Sequence, residues 1–241
     1  MSSWQKTQAT FYADPKKHTH LLFNPKSAYA KDLSDHMASA LQLEGSENVL
    51  EIGCGAGRFS FHLSDHCGKL TGLDAASSFL DLLKSLSGLG KTIDTICGDI
   101  HNLSHLLPEA ELDDICGFFI LHHLEDHDRL FQSFYQALGR GGKVAFVEPN
   151  RFNPLFLLQV LFSPEMTWQA EKGMFSFSAN RAADLLKKNG FTNIQCHSFG
   201  FFPPAILDFA PKPLLAFQKF LEEKKLFKKI LPFTLLSGTK P

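Results

Sequence analysis

Two hydrophobic periods alternate through the middle of the chain. The stretch NVLEIG (48–53) is short, apolar and closed by glycine, the pattern of a buried strand. GRFSFHLSDHC (57–67) follows with helical spacing. KLTGLD (69–74) reads as a second strand ending in an acid, and SSFLDLLKSLSGLG (77–90) as a helix closed by glycines. KTIDTICGD (91–99) is a third strand, again with an acid at its end, and DDICGFFIL (113–121) a fourth, apolar on both faces. EDHDRLFQSFYQAL (125–138) is an amphipathic helix ended by GRGG, and KVAFVEP (143–149) is a fifth strand.

Repeated strand–helix units with apolar strands imply a parallel sheet covered on both faces. Right-handed crossovers make it a doubly wound α/β sheet. Beyond residue 150, ANRAADLLKKNG (179–190) is a helix with a glycine stop. FTNIQCHSFG (191–200) and FTLLSGTKP (233–241) read as two final strands, with a mostly helical stretch at 203–232 between them. The first forty or so residues read as helical. We expect one domain: a helical cap (1–44), a ligand-binding core (45–150), and substrate-side insertions with the final strands (151–241).

Composition narrows the class. The 241 residues, 44% hydrophobic, suffice for a sizeable core. A formal charge of -1 provides no global basic field for nucleic acid. The five cysteines are widely spaced with no C-x-x-C, so neither a disulfide framework nor a zinc site is expected. The N-terminus lacks a secretory apolar segment, and PLFLLQVLF (154–162) is too short to span a bilayer. The expectation is a soluble, cytoplasmic protein with no transmembrane segment. The lysine-rich amphipathic stretch at 214–231 fits an ordinary surface helix better than a peripheral membrane contact.

The candidate chemistry starts at EIGCGAG (51–57), with glycines on alternate positions after a strand. Gly53, Gly55 and Gly57 let the backbone turn tightly and approach a ligand. The dinucleotide pattern G-x-G-x-x-G would need its third glycine at position 58, which is Arg58. That weakens a nicotinamide-dependent oxidoreductase and leaves it open. Glu51 would repel a pyrophosphate but suit an ammonium group. Asp74, closing the second strand, can accept both ribose hydroxyls, and Asp99, closing the third, an exocyclic adenine amine. The inferred ligand is an adenosine with a zwitterionic arm and no phosphate.

These segments resemble the class I S-adenosylmethionine-dependent methyltransferases of small-molecule type. EIGCGAG is similar to their first motif, LTGLDAAS to the ribose-binding segment and CGDI to the adenine-contacting one. FFILHHLED is similar to the fourth-strand motif and LGRGGKVAFVEPN to the fifth strand with its turn, where Arg140 replaces the usual proline. The resemblance implies seven strands with the last antiparallel, S-adenosyl-L-methionine as cofactor and S-adenosyl-L-homocysteine as product. It implies cofactor contacts from Glu51, Gly53, Cys54, Gly55, Gly57, Asp74, Ala75, Gly98, Asp99, Ile100 and Leu121.

Methyl transfer from a sulfonium mainly requires alignment. A general base is needed for a hydroxyl or a cationic amine acceptor, and His122 and His123 at the end of the fourth strand are the candidates. His123 and His127 have i,i+4 spacing but no evident third ligand, so no metal is expected. Phenylalanine and proline in 152–177 and 201–231 suggest an apolar cover, hence a small, apolar or lipid-like acceptor in a closed aromatic chamber. A catalytically silent binding protein of the same fold is the non-enzymatic alternative.

Overall fold

The computed structural model describes residues 22–86, 92–107, 112–153, 173, 177–202, 204–209, 211–222 and 230–241. Most of the 152–177 segment, expected to form part of the apolar cover, lies outside these residues.

Seven strands form one sheet in the order β3-β2-β1-β4-β5-β7-β6. They are β1 (Asn48–Ile52), β2 (Lys69–Asp74), β3 (Asp94–Cys97), β4 (Leu112–Phe118), β5 (Leu138–Pro149), β6 (Thr192–Phe199) and β7 (Phe233–Thr239). The pairs β1–β2, β1–β4, β2–β3 and β4–β5 are parallel; β7 runs antiparallel to β5 and β6. The expected doubly wound sheet with its antiparallel last strand is what the chain forms.

Alternation along the strands divides the core. Val49, Ala145 and Val147 face a layer containing Met37, Phe61, Leu80 and Leu83. Leu50, Ile52, Val144 and Phe146 face the other, with Leu130, Phe131, Phe134 and Leu186. The first layer is supplied by α1 (Ala28–Leu41), α2 (Ser60–Ser64) and α3 (Ser77–Ser85). The second is supplied by α4 (Leu103–Leu106), α5 (His127–Ala137) and α6 (Ala179–Lys188). Two short helices, α7 (Pro204–Leu207) and α8 (Pro211–Glu222), precede β7.

The N-terminus of α1 is tied to the far end of the sequence. Ser27 caps it by accepting the Ala30 N–H. Asp208 in turn accepts from the Ser27 hydroxyl at 3.0 Å and from the Tyr29 N–H at 2.8 Å. The amide of Gln218 donates to buried Asp32 at 2.9 Å. These bonds dock the α7–α8 segment against α1.

Three expectations shift. The third strand is four residues rather than nine, Asp94–Cys97. As an edge strand, it pairs on one side alone among the described residues. GRGG is not a free turn, because β5 already starts at Leu138, pairs with Leu112, and shifts register before Asp114. Of the first forty residues, the described helix begins at Ala28, and Leu22 instead bridges to Gly57.

Candidate functional site

Parallel pairing places the carboxyl ends of β1, β2, β3 and β4 along one edge of the sheet, where the strand order reverses between β1 and β4. Every sequence-predicted residue lies on or beside that edge. The glycine loop turns back at once: Gly53 N–H donates to Leu73 O at 2.7 Å. Gly53, Gly55 and Gly57 have φ of 68°, 53° and 82°, left-handed conformations that favour glycine. At Gly53 a Cβ would lie 2.6 Å from the Ile120 side chain, so β1 and the turn after β4 interlock there. At Gly55 a Cβ would meet nothing within 4 Å, which leaves room for a ligand to approach this backbone.

Asp74 fastens the loop to β2. Its Oδ2 accepts the Gly55 N–H at 2.9 Å and its Oδ1 the Ala76 N–H at 2.8 Å. Burial raises its pKa from the ordinary carboxyl value, and the Ala76 and Gly55 amides oppose that rise. Each oxygen keeps a second lone pair for a hydroxyl donor. Asp99 is the cap of a short 3-10 turn, Ile100–Asn102, accepting His101 N–H at 3.0 Å. Gly98 N–H donates to Asp74 O at 3.0 Å, which joins the ends of β2 and β3 beside Ala75.

Not every predicted residue offers its side chain to this edge. The Cys54 thiol rests against Gly72, where a Cβ would stand 2.7 Å from its Sγ. Ile100 and Leu121 are buried in the second core layer. These three residues have their backbones at the edge and their side chains in packing.

Glu51 is the anomalous group. It is 1% exposed, and its Oε2 has no hydrogen-bond partner among the described residues. Burial pushes its pKa up to about 8; the nearby Ser60 hydroxyl works against this and the Asp74 charge adds to it. A buried acceptor without a donor is costly unless a ligand supplies one. An ammonium group fits this position, and a zwitterionic arm lying along the open face of Gly55 would carry one there.

The turn after β4 holds the two histidines. Phe119 takes φ of 55°, a strained value for an aromatic residue of the kind concentrated at functional sites. The chain then makes a 3-10 turn, Leu121–His123. His122 Nδ1 lies 2.6 Å from Glu148 Oε2, and both side chains are buried. Glu148 Oε1 accepts Ile120 N–H at 3.0 Å and Leu121 N–H at 2.7 Å. The His122 and His123 ring centroids are 3.9 Å apart. Burial, and after it His122, hold the His123 pKa well below its ordinary value. His127 Nε2 donates to Leu121 O at 2.8 Å and so braces the turn.

Sequence reasoning missed Glu148. The signal was present: like Asp74 and Asp99, it is an acid at the carboxyl end of a parallel strand.

Residues 50–146 match the methyltransferase domain family. Over those residues the chain is similar to the class I S-adenosylmethionine-dependent methyltransferases. Malonyl-[acyl-carrier protein] O-methyltransferase 1 of Ilyobacter polytropus is 32% identical to it over 118 residues, 46% of this chain and 43% of that protein. A ubiquinone biosynthesis O-methyltransferase of Idiomarina loihiensis is 30% identical over 129 residues, 53% and 52% of the two chains. The chain thus spans about half the length of the curated relatives it matches. The methyltransferase fold extends further than the sequence likeness. The N-methyltransferase NodS of Bradyrhizobium japonicum, solved with S-adenosyl-L-homocysteine, superposes with a TM-score of 0.62 at 17% identity over all of both chains. No described helix of the chain is long and apolar enough to cross a membrane.

Proposed function

We propose that the chain transfers the methyl group of S-adenosyl-L-methionine to a small, rather apolar acceptor held beside the turn after β4. One observation carries the cofactor assignment: the buried Glu51 carboxyl, with an oxygen lacking a partner, beside an open glycine loop. In this reading Glu51 and the backbone of Gly53–Gly57 hold the amino-acid arm, Asp74 the ribose, and Asp99 with Ile100 the adenine. When bound, the cofactor supplies an electrophilic methyl group. The chain's residues orient it and keep water away.

Support for an apolar acceptor comes from an aromatic cluster, largely buried in the first core layer, that backs the same edge. Phe59 stacks on Phe118 at 4.5 Å and meets Phe119 at 5.8 Å; Phe119 meets Phe233 at 5.6 Å, and Tyr29 meets Phe233 at 5.8 Å. The Arg58 guanidinium lies 5.2 Å from both the Tyr29 and Phe59 rings. An apolar surround with a few placed polar groups is typical of a small-molecule site, and this cluster supplies the apolar backing. Both sequence relatives named above are O-methyltransferases, which favours an oxygen acceptor.

Calorimetry tests the reading. S-adenosyl-L-methionine and S-adenosyl-L-homocysteine are expected to bind and NAD not. Tight NAD binding with no response to either sulfur cofactor would restore the oxidoreductase. Cofactor binding with no methyl transfer to any acceptor would favour the catalytically silent protein.

Asp74→Ala is expected to weaken cofactor binding by roughly 1.5–3 kcal/mol, the range for a hydrogen bond to a charged group. It also frees the Gly55 and Ala76 amides, so faster hydrogen exchange at both should accompany the loss. A folded variant with full affinity would reduce Asp74 to a cap.

A further inference from the structure

We infer that Glu148 is a positioning residue: it holds His122 with its hydrogen on Nδ1, so that Nε2 is the atom that takes a proton from the acceptor. The inference rests on the methyl-transfer reading and on the acceptor lying at the turn after β4.

Glu148 is used at both oxygens. Oε1 receives two consecutive backbone amides, from Ile120 and Leu121, and Oε2 faces the ring nitrogen at 2.6 Å. A carboxylate has no hydrogen to give, so the hydrogen between Oε2 and Nδ1 belongs to the imidazole. A neutral ring with hydrogen on Nδ1 carries its basic lone pair on Nε2. The same carboxylate thus sets the turn that carries the ring and the tautomer of the ring.

Capping alone explains the two amides but not the third contact, which runs from the end of β5 to a side chain on another element. Side chains of the pair are 2% exposed, so their interaction is little weakened by solvent. His123, its ring tilted against that of His122, is kept neutral by its burial and by that neighbour.

Such a base serves an acceptor that enters protonated, a hydroxyl first of all. As the oxygen gains the methyl group its O–H bond breaks, and the hydrogen passes as a proton to Nε2. The electron pair of that bond stays on the oxygen. The imidazolium formed lies against Glu148, and the thioether leaves uncharged with the pair from the broken C–S bond.

The experiment is long-range 1H–15N correlation of the histidine rings in the chain saturated with S-adenosyl-L-homocysteine. It is run at mildly alkaline pH, with His122 assigned through His122→Gln. The native ring is expected to carry hydrogen on Nδ1. Glu148→Gln keeps an oxygen for the two amides but can turn an NH2 towards Nδ1, and is expected to move the hydrogen to Nε2. Glu148→Asp, which retains the charge, is expected to return it to Nδ1, and serves also if the Gln variant fails to fold. Product binding should stay within about threefold of native in both variants, a difference of about 0.65 kcal/mol. Hydrogen on Nε2 in the native chain, or a tautomer unmoved by Glu148→Gln, overturns the inference while leaving the methyltransferase reading intact. Failure of the native chain to bind S-adenosyl-L-homocysteine overturns the methyltransferase reading itself.

Discussion

Glu51→Gln is expected to stabilise the unliganded chain at alkaline pH while crippling cofactor binding. The native carboxyl titrates near 8 against an ordinary 4.5. Between those values the folded state holds more protons than the unfolded state, so stability falls as pH rises through this window. The span corresponds to a loss of about 5 kcal/mol at about 1.4 kcal/mol per pKa unit. Glutamine does not titrate, so this part of the pH dependence should vanish, leaving the variant more stable than native above pH 8. Its cofactor affinity should fall by roughly 1.5–3 kcal/mol through loss of the charged partner. For the native chain, an ammonium beside Glu51 favours ionisation, so cofactor binding near neutrality should release a proton and strengthen as pH rises towards 8. Denaturant titrations across pH and calorimetry in buffers of different ionisation enthalpy check both halves. A pH-independent stability difference between native and variant would show that Glu51 does not titrate in this window.

Gly53→Ala should damage the fold and the site together. The methyl would enter at φ 68°, a conformation costing a side-chain-bearing residue about 1–2 kcal/mol. It would also lie 2.6 Å from Cδ1 and Cγ1 of Ile120, and overpacking of this kind costs about 1–3 kcal/mol. The combined expectation is roughly 2–5 kcal/mol of lost stability, or a Tm lower by about 5–15 °C. Adding Ile120→Ala separates the two contributions. If the clash matters, the double variant is more stable than additivity predicts; strict additivity would leave backbone strain as the whole effect.

How far the sequence could be read depended on how local the determinants were. Lys69–Asp74 was delimited correctly because its apolar run ends at an acid and a polar turn. The start of β5 was misplaced because Gly141 and Gly142 look like punctuation. In the fold Gly141 N–H donates to Lys240 O at 2.9 Å and Gly142 O accepts Lys240 N–H at 2.8 Å. A partner a hundred positions away leaves no mark on the local pattern. The 3-10 turn Leu121–His123 was also invisible, since it is held by Glu148 from the next strand. The acids closing the strands were legible as a class; their separate uses were not. Asp74 is engaged by two amides, whereas Glu51 is buried with an oxygen lacking a described partner.

The tie between Asp208 and the start of α1 has a consequence for biosynthesis. Ser27 and Asp208 are 181 positions apart. At roughly 5–20 residues per second, a ribosome needs on the order of 10–35 s to travel between them. Throughout that interval the first helix has been made but lacks the carboxylate that receives its Ser27 hydroxyl and Tyr29 amide. Asp32 likewise waits for Gln218, 186 positions downstream. All five strands from β1 to β5 precede residue 150, so the parallel part of the sheet can pair while α1 is still without its tail-end anchors. The aromatic cluster that joins Tyr29 to Phe233 is therefore among the last parts of the molecule to close, and a nascent chain stalled before residue 208 would display Tyr29, Phe59 and Phe118 to chaperones without the Phe233 ring that covers them.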